Sequence, residues 1–184
     1  MVYNDEVYST LFPLMRNFLY HYLSYKELIQ AYKSLPGDSE FWVYTCDAHL
    51  QMASITWCMV FGDNSNEPHW KNLELNEDEF RSVLFRECQI DENDWKEYWN
   101  TMRTFRNKYV AHRELNNFND PVPFLDLAYK AVIILDLWIR DQISPDINEN
   151  EPFNCLAEVY NKNIKSTIRK VKKRKCGKLL HAFK

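Results

Sequence analysis

A chain of 184 residues holds one domain, or one domain with a small appendage. Its 46% apolar and 15% aromatic content excludes a wholly disordered chain, and only three glycines, against a usual share of about 7%, disfavour a turn-rich sheet. The net charge of −3 conceals a split: positions 1–160 carry 13 Lys/Arg against 26 Asp/Glu, whereas positions 161–184 carry ten cations and no carboxylate.

In chain order, helical spacing runs from about Asp5 to Leu35 through Val7, Leu11, Leu14, Phe18, Tyr22, Tyr25 and Ile29. Pro13 predicts a kink or a late start there. Pro36-Gly37 ends this segment, and Asp38 or Ser39 can cap a second helix reaching about Phe61. That helix carries only Glu40 and Asp47 as charges and is expected at the centre of the fold. Gly62 to Lys71 is a long polar connection. Asn76 with Glu79 starts a short helix to about Gln89. Asp91, followed by Glu92 and Asp94, starts a stronger one to about Arg113. Asn116 to Pro123 reads as a loop. Phe124 to Ile143 is an apolar helix stopped by Ser144-Pro145, and Phe153 to about Lys175 is a helix with a basic second half. The expectation is an all-α bundle of about six helices over 1–160, with a basic C-terminal helix or arm over 161–184.

Five cysteines without paired spacing give no disulfide framework. Pro13 and Arg16 interrupt the only candidate leader, and the longest apolar stretch, Ala131 to Leu135, falls far short of the roughly 20 residues a span needs. A reduced, soluble, cytoplasmic protein without membrane attachment is expected. No metal site is expected, because Cys46 with His49 and Cys176 with His181 each lack two further ligands. No cofactor is expected either, since three scattered glycines cannot build a phosphate loop.

The segment Met102-Arg103-Thr104-Phe105-Arg106-Asn107-Lys108-Tyr109-Val110-Ala111-His112-Arg113-Glu114 gathers cations and a histidine at the end of a helix whose start is acidic. Complementation of the helix dipole explains the sign of those charges, but not the asparagine and histidine among them. Arg106-Asn107-Lys108-Tyr109-Val110-Ala111-His112 resembles the signature of HEPN domains: an arginine, a polar residue, then a histidine after four to six intervening positions. The Arg-Asn-x-x-x-Ala-His form is similar to that of abortive-infection members of that superfamily. Arg16 to His21 and Arg174 to His181 also fit the bare spacing, without the helix order or the Ala-His ending.

The resemblance implies an all-helical, dimeric, metal-independent endoribonuclease of toxin–antitoxin or phage-defence type, restrained by a cognate antitoxin protein. Arg106, Asn107 and His112 would be its catalytic residues. The alternative is a non-catalytic HEPN-like module that binds RNA or a partner protein. In a straight helix Arg106 and His112 lie about 9 Å apart in rise and about 120° apart in rotation. A homodimer with two-fold symmetry gathers two copies of each more easily than one protomer does. RNA supplies its own 2′-hydroxyl nucleophile, a neutral imidazole can deprotonate it, and arginine offers forked donors to phosphate.

Arg103, Lys108 and Arg113 are candidate phosphate contacts, as are Lys170, Lys172 and Lys173 in the basic arm. The arm could equally be a solvated helix end, or dock on the acidic body. His69-Trp70-Lys71 could stack a base, or Trp70 could pin the loop to the core. Trp95 and Trp99 are expected as core or dimer contacts.

Overall fold

The computed structural model describes residues 3–111, 122–144 and 151–180. Six α-helices and no strand are found among them: α1 (Asp5–Ala31), α2 (Ser39–Phe61), α3 (Glu77–Cys88), α4 (Glu92–Phe105), α5 (Asp126–Ile143) and α6 (Phe153–Leu180). Short 3-10 turns occupy Tyr32–Ser34 and Trp70–Leu73, and Arg106–Ala111 is a turn of π-helix continuing α4. The fold is the expected all-α bundle.

Four of these helices, α1 to α4, start on polar side chains of the capping type. Asn4, Asp38 and Asn76 accept backbone N–H bonds from Val7, Glu40 and Glu79. Asp91 and Asp94 form a reciprocal capping box, each side chain accepting the other's backbone N–H at 2.8 and 3.0 Å. Pro13 does not delay α1, which begins at Asp5 and runs through it. The end of α2 needs Gly62, because a Cβ there would collide with the Cys58 carbonyl. The indole of Trp99 donates to the Phe61 and Gly62 carbonyls at 2.6 and 3.1 Å, satisfying acceptors that a helix end leaves open.

The core joins α1, α2, α3, α4 and α5 around Phe18, Trp57, Phe61, Phe80, Met102 and Leu135, all fully buried. α2 packs against α1 and α4, yet it is not enclosed all round. Phe41, Tyr44, Met52 and Met59 remain exposed on it. Low charge therefore marks α2 as packed on one side and apolar on the free side too.

α6 runs unbroken through residue 160. Phe153, Ala157 and Ile164 are buried against the bundle, and Ile168 and Val171 pack beside Leu28, Leu35 and Cys46. Its start is held by Asp136, a fully buried carboxylate that accepts the Phe153 N–H at 2.7 Å and the Arg140 Nε–H at 2.9 Å. The basic segment through Lys173 thus belongs to a helix seated on α1, with Lys165 3.4 Å from Glu27. Among the described residues no helix is long and apolar enough to cross a membrane.

Candidate functional site

α4 carries the motif. Its regular turns end at Phe105, and from Arg106 the backbone widens into the π-turn that ends at Ala111. Such single turns are rare, and they occur often at functional sites. Phe105 and Tyr109 stack across the junction with ring centroids 5.1 Å apart. His112, Arg113 and Glu114, the remaining members of the motif segment, lie outside the described residues.

Arg106 is half-buried rather than presented to solvent. Its guanidinium lies near the Cys58 thiol of α2, which itself donates to the Met102 carbonyl at 3.8 Å. The Arg106 Nε is buried without a hydrogen-bond partner. Burial pushes the Cys58 thiol up to about 11, against the charge and hydrogen bond of Arg106 and the charge of Arg103. Asn107 is exposed, and Lys108 is half-buried. Lys108 and Tyr109 close one end of an open cleft of about 540 Å³ that follows α4 back through Thr104, Asn100 and Lys96.

Arg103 has protein partners: Nη2 donates to Asp63 Oδ2 at 2.9 Å, and the guanidinium lies 4.2 Å from the Trp99 ring centroid. Lys170, Lys172 and Lys173 are exposed on α6, a different element from the motif. The structure brings Arg103, Arg106, Asn107 and Lys108 onto one continuous helix and leaves the three lysines separate from them.

His69 and Trp70 are buried, with Trp70 packed on Phe80 at 4.5 Å, so the tryptophan holds its connection to the core. His69 Nδ1 accepts the Lys71 N–H at 3.2 Å. Burial first, then the Lys71 charge, lowers the His69 imidazole to about 4. Trp95 and Trp99 are half-buried, Trp95 lying against Trp57 and Phe61.

One pairing has no signature in the sequence. His21 on α1 and His49 on α2 bring their Nδ1 atoms within 2.9 Å, so one imidazole donates and the other accepts. Burial lowers both pKa values, and proximity to His49 lowers His21 further. Arg16 is not part of that pair; its Nε donates to the Tyr160 hydroxyl at 2.8 Å. Cys46, one turn before His49 on α2, is buried in a separate cluster with Leu28 and Leu35, and burial raises its thiol. Among the described residues no three His, Cys, Asp or Glu side chains converge as a metal centre would require. His181 lies outside the described residues. No family model, curated protein or solved structure matches the chain.

Proposed function

We propose that the chain is a metal-independent endoribonuclease of HEPN type that works as a homodimer, a cytoplasmic toxin or phage-defence effector restrained by an antitoxin protein. The observation that carries this reading is the π-turn, which begins at Arg106, the first residue of the motif, and spans the positions up to Ala111. In this reading a neutral His112 takes the proton of the RNA 2′-hydroxyl, and the alkoxide attacks the adjacent phosphorus. Arg106 stabilises the charge that builds on the phosphate oxygens, and Asn107 holds a phosphate oxygen or a neighbouring group. The bond to the 5′-oxygen breaks, and that oxygen leaves with a proton taken from water or from the imidazolium formed in the first step. The products are a 2′,3′-cyclic phosphate and a 5′-hydroxyl.

Support for a dimer comes from the free face of α2. Phe41, Tyr44, Ala48, Met52, Ile55 and Met59 follow steps of three and four, one stripe of a straight helix. Glu40 and Asp47 are the only charges of α2, so the stripe can meet its own copy with little like-charge repulsion. It ends at Met59, on the side of α2 turned away from the buried Cys58.

The inward turn of Arg106 onto Cys58 favours a second reading, a non-catalytic helical module that binds RNA or a partner protein. Expression of wild type and His112→Ala in a heterologous host separates the two. Growth arrest and RNA with cyclic-phosphate ends for the wild type alone support the nuclease. Equal growth and intact RNA in both would leave the binding module.

A further inference from the structure

A second cleft, of about 310 Å³, opens between the end of α2, the 62–73 connection, α3 and α4. Five aromatic residues line it: Phe61, Trp70 and Phe80 are buried, whereas Trp95 and Trp99 are half-exposed. Trp99 is held rigidly, by its indole bonds to the Phe61 and Gly62 carbonyls and by the Arg103 guanidinium against its ring. Three cations, Lys71, Arg81 and Lys96, reach the same cleft. Lys71 and Arg81 share Glu77, at 3.1 and 3.4 Å, and Glu92 lines the rim. The cleft thus keeps an excess of positive charge within a body that is otherwise strongly acidic. Lys96, exposed on α4, pairs with no acid among the described residues and is the cation of the three best placed to meet a phosphate.

We propose that this cleft is a nucleobase subsite, in which one unpaired base stacks on the half-exposed tryptophans while its phosphate faces Lys96 and Arg81. Flat aromatic walls accept any base through its π-face, and a cleft of this size takes one base rather than a duplex. The source is the single-stranded RNA substrate, and in that respect the proposal rests on the ribonuclease reading. Trp95, Trp99, Arg103 and Arg106 follow steps of four, four and three along α4. They form one stripe about 16 Å long, so a strand with its base in the cleft passes Arg103 on the way to the motif.

The test is equilibrium binding to the full chain, read by tryptophan fluorescence and by calorimetry, with cleavage of unmodified RNA assayed separately. The probes are a 2′-O-methyl oligonucleotide, which cannot be cut, and the four nucleoside 5′-monophosphates. Trp95→Ala should weaken oligonucleotide binding about tenfold or more, as expected when a base stack is removed, while Trp95→Phe retains most of it. Because Trp95 also touches the core, Lys96→Glu is the second variant; it lies at an exposed position and should weaken binding several-fold. Monophosphates that bind as tightly as the oligonucleotide, with the same reductions in the variants, would support the base site and assign it to a free nucleotide. Affinity that ignores both Trp95→Ala and Lys96→Glu would overturn the subsite, even if the protein cleaves RNA. A protein that cuts no RNA but shows both reductions would keep the subsite and remove the nuclease reading.

Discussion

Arg103 lies over the indole of Trp99, 4.2 Å from the ring centroid, while its Nη2 donates to Asp63 Oδ2 at 2.9 Å. One cation thereby ties the connection after α2 to the helix that carries the motif. Both partners of the ion pair are partly exposed, so solvent screens it and the pair with its ring contact contributes about 1 kcal/mol. Arg103→Ala should lower the melting temperature by about 2 to 4 °C, with Asp63→Asn losing part of that. A double-mutant cycle without coupling would show that the contact stabilises nothing.

His69 makes stability depend on pH. Its imidazole is lowered from 6.5 to about 4, so between those values the folded chain holds fewer protons than the unfolded one. Stability is therefore complete above pH 6.5 and falls as acid is added through that window. The loss from this group reaches about 3 kcal/mol near pH 4. His21 and His49 are lowered as well and add to the same slope. Urea unfolding at pH 7 and pH 4.5 should show a smaller drop for His69→Gln than for the wild type. An equal drop in both would remove His69 from the account.

Thiol chemistry should discriminate sharply among the described cysteines. Cys46, Cys58 and Cys88 are buried with raised thiol pKa values, and Cys155 is exposed on α6. Iodoacetamide at pH 8 should alkylate Cys155 on the native protein and spare the other three, as mapped by mass spectrometry. Rapid modification of Cys58 would show that the contact with Arg106 opens readily.

The lysines of α6 are best tested by charge, not by truncation. Removing residues 162–184 would take Ile164 and Ile168 away from the bundle they pack against. Lys170, Lys172 and Lys173 are exposed, and exchanging all three for Gln leaves the packed face intact. If they neutralise RNA phosphates, the salt dependence of binding should flatten by about 0.7 log unit for each phosphate left without its lysine. An unchanged slope would assign the lysines to solvent or to an acidic protein surface.

The dimer reading predicts two results. Tyr44→Glu with Met52→Glu, both at exposed positions, should convert a sedimenting dimer into a monomer with an unchanged helical spectrum. Mixing inactive Arg106→Ala with inactive His112→Ala protomers should restore part of the activity, because a shared site can then draw Arg106 from one chain and His112 from the other, whereas independent sites would restore none. A strict monomer of the wild type that cleaves RNA would rule out the shared site.

The helices were legible because local physics sets them. Three- and four-residue apolar spacing, and the caps at Asn76 and Asp91, depend on neighbours within one or two turns. Trp70 as a core anchor was legible for the same reason: a large apolar side chain in a polar connection has one favourable place to go. The motif could be read as residues, but its backbone could not. A π-turn differs from an α-turn by one hydrogen-bond step, and no residue type in Arg106–Ala111 encodes that step.

The rest depends on partners distant in sequence. The sequence by itself determined six helices, an acidic body, a basic last helix and the candidate motif, since these follow from residue type and short-range spacing. Tertiary structure alone decided that Arg106 lies near Cys58, that His21 meets His49, and that Arg103 is engaged by Asp63 and Trp99. It also decided that one face of α2 stays uncovered, although its low charge reads as full enclosure. Hydrophobic pattern shows which faces avoid water but does not name the surface that covers them. That choice is made by how the helices pack, across separations of 28 residues for His21 with His49 and 40 for Arg103 with Asp63.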